Sequence, residues 1–231
     1  MFFRPSDLST AAFGLLCVAI VCALLCGVWL SAKREKVSPA LRTAKVAGLT
    51  LVWLGVLAAV VASGWLSEKP MPRLPLFLVL INGVSLGIGL SPVGRWLAQS
   101  VSLGWLVEFQ AFRFPLELIL HSWVQQGSIP ETMTWTGANW DIISGITALL
   151  LAPFASKSRV AAWVANSVGI VLLVNVARVA VLSSPVSFGW HVSPPLLLPF
   201  ELPYAAILPV CVGGALIGHV VLTRALLAWR G

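Results

Sequence analysis

The chain has 231 residues, of which 58% are hydrophobic and 10% charged, and its mean hydropathy is +0.94. Its apolar runs are long enough for membrane-spanning helices and lack the short alternation of barrel strands, which excludes an ordinary soluble domain. The formal net charge of +7 is dispersed over short loops, which excludes nucleic acid as a partner and leaves the lipid bilayer. The composition therefore predicts an all-α, polytopic membrane bundle, with residues 1–231 in a single transmembrane domain.

Seven apolar segments are predicted to cross the membrane. They cover roughly 10–31, 46–66, 74–91, 97–126, 139–155, 160–183 and 202–223. The loop after the first segment is the most basic part of the chain, with five Lys or Arg residues between Lys33 and Lys45. Because cytoplasmic loops are enriched in Lys and Arg, this loop is predicted to be cytoplasmic. The N-terminus then lies outside and the C-terminus inside a bacterial inner membrane.

The fourth predicted span carries a stripe of polar residues. At intervals of three or four residues it presents Gln110, Arg113, Glu117, His121 and Gln125. On a helix these positions share one face, and lipid cannot solvate such a face, so the stripe is expected to look into the bundle. Two explanations stay open. Arg113 and Glu117 could form an intrahelical ion pair with His121 as a neutral hydrogen-bond partner, or the stripe could be a functional site.

Polar residues also stand where the fifth span begins and where the sixth span ends. Asn139 and Asp141 are the helix-capping types, and a ridge of small residues follows them on the same face. Asn175 and Arg178 share a face near the outer end of the sixth span, and His191 lies in the loop beyond it. The predicted topology brings all of these residues towards the outer boundary of the membrane. His219 is placed near the inner end of the last span, as a separate residue.

The motif in the C-terminal half resembles a group of uncharacterised bacterial multi-pass inner-membrane proteins. It reads Q-x-F-R-x-P-x-E over 110–117 and G-x-N-x-D-I-x-x-G-x-T-A over 137–148. That resemblance implies an inner-membrane location, and it brings no known activity with it.

A second pattern is similar in order and spacing to the exosortase and archaeosortase membrane transpeptidases. It consists of 144–150, 175–179 and His191. That family implies a Cys, Arg and His triad near the outer face of a helical bundle, and the Arg and His correspond to Arg178 and His191. The Cys would fall at Ile143, which cannot act as a nucleophile, so the resemblance implies the scaffold without the transpeptidase nucleophile.

These observations favour transport or binding of a small solute or protons at an outward-facing polar pocket. The predicted pocket residues are Arg113, Glu117, His121, Asn139, Asp141, Asn175, Arg178 and His191. A membrane-embedded enzyme at the outer leaflet is the alternative, with Glu117 and His121 as weak metal-ligand candidates or Ser144 as a nucleophile. A non-catalytic assembly subunit is the third hypothesis. The sequence indicates neither a cofactor nor an oligomeric state.

Overall fold

A computed structural model describes residues 3–68 and 70–228, and over these ranges the chain is helical, with no strand. The α-helices, in chain order, are α1 (Asp7–Arg34), α2 (Pro39–Ala62), α3 (Trp65–Glu68), α4 (Pro70–Leu90), α5 (Pro92–Ser100), α6 (Leu103–Glu108), α7 (Arg113–Gln125), α8 (Ile142–Ala155), α9 (Arg159–Ser183) and α10 (Gly213–Ala228). A π-helical stretch, Ile207–Val212, leads directly into α10. The predicted all-α class is confirmed.

Five helical stretches in the described ranges are long and apolar enough to cross a membrane. They are Asp7–Arg34, Pro39–Ala62, Pro72–Leu90, Arg159–Ser183 and Tyr204–Ala228. The fifth predicted span corresponds to α8, which has only 14 residues. At a rise of about 1.5 Å per residue, a helix of this length is shorter than the hydrocarbon core.

The prediction of one continuous helix over 97–126 is wrong. Val101 has an extended backbone (φ −99°, ψ 144°) that ends α5. Ser102 then caps α6, because its side chain accepts a hydrogen bond from the Trp105 backbone N–H. A 3₁₀ turn, Phe109–Phe112, separates α6 from α7. The predicted polar stripe is therefore divided between this turn and α7, and only its first three residues, from Gln110 to Glu117, are fully buried.

Contacts between helix termini define one end of the bundle, which we call the basic end. The Arg42 guanidinium, near the start of α2, lies 4.0 Å from the centre of the Trp96 ring in α5. Arg224, near the end of α10, donates hydrogen bonds to the carbonyls of Gly89 (2.6 Å) and Ser91 (3.1 Å), where α4 ends. The start of α2 and the ends of α4 and α10 therefore share this end.

The opposite end is fixed by the N-terminal segment. The Ser6 backbone N–H donates to Gln126 Oε1 (2.6 Å), just beyond α7, and the Thr10 and Tyr204 hydroxyls are 2.9 Å apart. The buried Trp123 ring makes edge contacts with the rings of Phe13 and Tyr204, at centroid distances of 5.2 and 5.4 Å. Helix α7 therefore ends beside the start of α1, and the two helices run antiparallel.

Candidate functional site

Arg113, the first residue of α7, is the centre of a buried polar cluster. Its side chain is 1% exposed and forms a two-pronged ion pair with Asp141, which directly precedes α8. Nε donates to Asp141 Oδ2 over 2.7 Å, and Nη2 donates to the other carboxylate oxygen. Such paired bonds match the planar guanidinium to the carboxylate. The intrahelical ion pair between Arg113 and Glu117, one of the two explanations left open by the sequence, does not form, because Arg113 bonds across helices to Asp141 instead.

The remaining guanidinium nitrogen ties α7 to α9 and α10. Nη1 donates to the Gly169 carbonyl (2.9 Å) and lies 3.1 Å from His219 Nε2. Because arginine can only donate, Nε2 is the acceptor and the ring proton resides on Nδ1. His219 Nδ1 in turn lies 3.0 Å from Asn166 Oδ1, and Asn166 Nδ2 donates to the Thr223 hydroxyl over 2.8 Å.

The prediction that His219 is separate from the other polar residues is therefore wrong. His219 lies in the apolar helix α10, and the sequence around a histidine in such a helix does not indicate its hydrogen-bond partner. His219 is 1% exposed and Asn166 is fully buried. Both are polar residues within apolar helices, the same signal that marked Arg113. That signal, applied to α9 and α10, would have included Asn166 and His219 among several candidates.

Asn139 and Asp141 have roles other than the expected side-chain caps. No side-chain hydrogen bond from Asp141 caps α8, because the carboxylate is taken by Arg113. Asn139 Oδ1 accepts from the Asp141 backbone N–H (3.2 Å), and its Nδ2 donates to the Met133 carbonyl (3.0 Å) and to Glu117 Oε1 (2.7 Å). Asn139 therefore joins Glu117 to the arginine pair.

Glu117 is the one carboxyl of the cluster that keeps an unused oxygen. The residue is 1% exposed, and Oε2 is buried with no hydrogen-bond partner. It lines a cavity of about 50 Å³, together with Arg113, Asp141 and mainly apolar side chains from α7, α9 and the segment before α10. Because Arg113 and Asp141 compensate each other's charge, Glu117 adds a carboxyl to which no cation is hydrogen-bonded.

The other predicted pocket residues lie apart from this cluster. His121 is partly buried, stacks on Trp135 with ring centroids 4.4 Å apart, and has its Nε2 3.1 Å from Gln125 Nε2. Arg178 is exposed, donates to Asn175 Oδ1 (2.9 Å), and has its guanidinium carbon 5.7 Å from the Trp190 ring centre. The structure thus divides the predicted set and brings together Arg113, Glu117, Asn139 and Asp141.

No hydrogen bond joins Ser144, Arg178 and His191 of the enzyme hypothesis in the described part of the chain. Asn175 Nδ2 donates to the Ala138 carbonyl (2.9 Å), and Arg178 and His191 are exposed. Ser144 is buried on α8, and its hydroxyl has no hydrogen-bond partner. Over the described ranges, no three His, Cys, Asp or Glu side chains form a group that could hold a metal ion.

Close helix packing around the cluster depends on glycines. A Cβ at Gly169 would overlap the His219 ring, and a Cβ at Gly145 would overlap the Phe114 backbone. The second contact explains the small-residue ridge of α8, which lies against the start of α7. Small residues at these two positions allow α7, α8, α9 and α10 to bring their polar groups within hydrogen-bond distance.

Comparison with known families gives a match. The model of a family described as a domain of unknown function (DUF8737) matches residues 71–227. No curated protein and no solved structure matches the chain. The matched range contains every residue of the buried cluster.

Proposed function

The chain belongs to the family described as a domain of unknown function (DUF8737), and from the site itself we propose a membrane transport protein whose Glu117 carboxyl binds a proton or small solute. The observation that carries the proposal is the Oε2 atom of Glu117, a buried acceptor without a partner beside a cavity. A buried polar group left unpaired costs about 1–3 kcal/mol. A donor that enters the cavity would recover this free energy on binding.

The size and chemistry of the cavity limit the ligand. A volume of about 50 Å³ has room for roughly three or four water molecules. The walls are mainly apolar, so Glu117 Oε2 is the group that would select a hydrogen-bond donor or a positive charge. The ligand is therefore a proton that arrives through water, or a solute of a few atoms such as an ammonium-sized cation.

In the proposed function, Arg113 has a structural role and does not bind the ligand. Four of its N–H bonds are already directed to Asp141, Gly169 and His219, so it offers little to a ligand. The pair instead fixes Asp141, whose backbone N–H holds Asn139, and Asn139 in turn orients Glu117. The cluster thus combines a rigid tie between helices with one available carboxyl oxygen.

We also propose the finer topology: seven crossings, with the N-terminus outside and the C-terminus inside a bacterial inner membrane. The segment 92–125 would cross as a broken helix and α8 as a short one, both supported laterally by longer helices. The basic end carries the loop from Lys33 to Lys45, and Arg224 lies at the same end. Lys and Arg enriched at one end support a cytoplasmic location for that end.

The test is proton flux in liposomes that carry the purified protein and an internal pH-sensitive dye. The variant Glu117→Gln keeps an acceptor oxygen for Asn139 and removes the carboxyl. Glu131→Gln is the matched control, because Glu131 is an exposed acid on the neighbouring loop. We expect flux above that of empty liposomes for the native protein and the control, and flux at the empty-liposome level for Glu117→Gln.

A second arm covers a small cation as the ligand. Ammonium chloride is expected to raise the unfolding temperature of the native protein in detergent, while the bulkier tetramethylammonium chloride leaves it unchanged. Glu117→Gln is expected to lose the response to ammonium. The proposal is overturned if neither the proton flux nor the ammonium response depends on Glu117.

A further inference from the structure

A large apolar crevice shares no lining residue with the Glu117 cavity. It has a volume of about 520 Å³ and is bounded by side chains of α1, α2, α4 and α10. Leu49 and Trp53 form part of its wall on α2, and Ile88 forms part on α4. Its lining is almost wholly apolar, which suits a hydrocarbon chain.

The crevice lies beside a second space with basic residues in its lining. This neighbouring crevice has a volume of about 380 Å³ and is lined by Arg42, Lys45 and Trp96. The two spaces share Val46 and Leu49 of α2, together with one residue of α5. They are therefore adjacent, and together we call them the groove, which is apolar in the larger space and carries basic residues in the smaller one.

Arg42 is held in place at the basic end by two contacts. Arg42 Nη2 donates to Glu35 over 2.8 Å, and the Arg42 guanidinium stacks on Trp96. Arg42 Nη1 has no hydrogen-bond partner, and Lys45 is exposed. Glu35 is the one acidic residue in the loop from Lys33 to Lys45, which has five basic residues. The basic end therefore keeps a net positive charge.

We propose that this groove binds an anionic phospholipid, with an acyl chain along the apolar crevice and the phosphate beside Arg42 and Lys45. The ligand is a lipid and not free phosphate, because most of the groove offers only apolar surface. Each Lys or Arg near an anionic membrane surface contributes favourably to binding, and tryptophan prefers the same depth. The proposal is independent of the Glu117 site.

Two pairs of variants test the two parts of the groove. Arg42→Gln with Lys45→Gln removes two charges from the groove, and Arg34→Gln with Lys36→Gln removes two exposed charges from the same loop outside it. Gly87→Phe fills the apolar crevice, since a Cβ at Gly87 meets no atom within 4 Å.

The control for the last variant is Gly55→Phe. A Cβ at Gly55 also meets no atom within 4 Å, and Gly55 lies on the face of α2 opposite the groove. Both Phe variants should therefore fold, which is checked by the unfolding temperature in detergent.

The measurement is native mass spectrometry of the full chain in detergent, titrated with phosphatidylglycerol or with phosphatidylcholine of the same acyl chains. The native protein is expected to retain one phosphatidylglycerol in preference to phosphatidylcholine. Loss of the two groove charges should weaken retention of phosphatidylglycerol roughly tenfold or more. Gly87→Phe should lose the bound lipid, and both control variants should keep it.

Three results would overturn the proposal. The first is equal retention of the two lipids by the native protein. The second is equal loss of lipid in the groove variants and their matched controls, which would indicate a diffuse charge effect. The third is complete displacement of phosphatidylglycerol by inorganic phosphate, which would identify a free-anion site without a chain-binding crevice.

Discussion

Replacement of Arg113 with methionine tests the central ion pair. The change removes four hydrogen bonds to Asp141, Gly169 and His219. It also leaves the Asp141 carboxylate, 4% exposed, without its cation. Removal of one partner of a buried pair costs about 3–5 kcal/mol, so we expect Arg113→Met to lower the free energy of unfolding by about this amount.

A double variant measures the interaction energy between Arg113 and Asp141 apart from their contacts with other residues. Asp141→Leu alone should cost a similar amount, because it leaves the Arg113 guanidinium with a buried and uncompensated charge. The double variant, Arg113→Met with Asp141→Leu, buries neither charge. Its loss of stability should therefore fall short of the sum of the single losses by about 3 kcal/mol.

The assay is unfolding in mixed micelles of increasing sodium dodecyl sulfate content, followed by tryptophan fluorescence. Arg178→Met is the control, because this exposed arginine makes one hydrogen bond to Asn175 and should lose less than about 1 kcal/mol on replacement. The reasoning is refuted if Arg113→Met costs no more than Arg178→Met, or if the losses from Arg113→Met and Asp141→Leu simply add.

Two further substitutions probe close packing and the basic end with the same assay. Gly169→Ala would place a methyl group in the His219 ring and should cost about 1–3 kcal/mol, whereas Gly48→Ala, where the Cβ meets open space, should cost nothing. Equal midpoints for these two variants would contradict the packing argument. Arg224→Gln removes the charged donor to the Gly89 carbonyl and should cost about 1.5–3 kcal/mol; an unchanged midpoint would show that this contact is dispensable.

Four polar residues of the cluster, Arg113, Glu117, Asn139 and Asp141, could be selected from the sequence, and the main reason is the cost of burial in a membrane. Arg113 and Glu117 stand out in an apolar segment because lipid cannot solvate them, so they must face protein or water. Asp141 and Asn139 were selected by their position after that segment. The partners were not predictable, because a spacing of four residues fits an ion pair within one helix as well as a bond across helices.

The break of the fourth predicted span shows the limit of hydropathy. The stretch 97–126 has the apolar character of one span, yet Ser102 caps a new helix and Val101 is extended. A serine flanked by apolar residues fits within a helix or at its start. The packed neighbours decide between the two, for example Ser156 on the turn after α8, whose hydroxyl accepts from the Gly104 backbone N–H.

By itself, the sequence determined the membrane class, the helical architecture and the identities of the buried charged residues. All three follow from how well lipid solvates single residues and short segments. This constraint acts on any chain in a bilayer, whatever its tertiary structure. Only the tertiary structure decided that His219 and Asn166 join Arg113, that His121 and Arg178 lie elsewhere, and that one oxygen of Glu117 is left free. These outcomes depend on how closely helices distant in the chain approach one another, a distance set by packing at residues such as Gly169 rather than by any local preference.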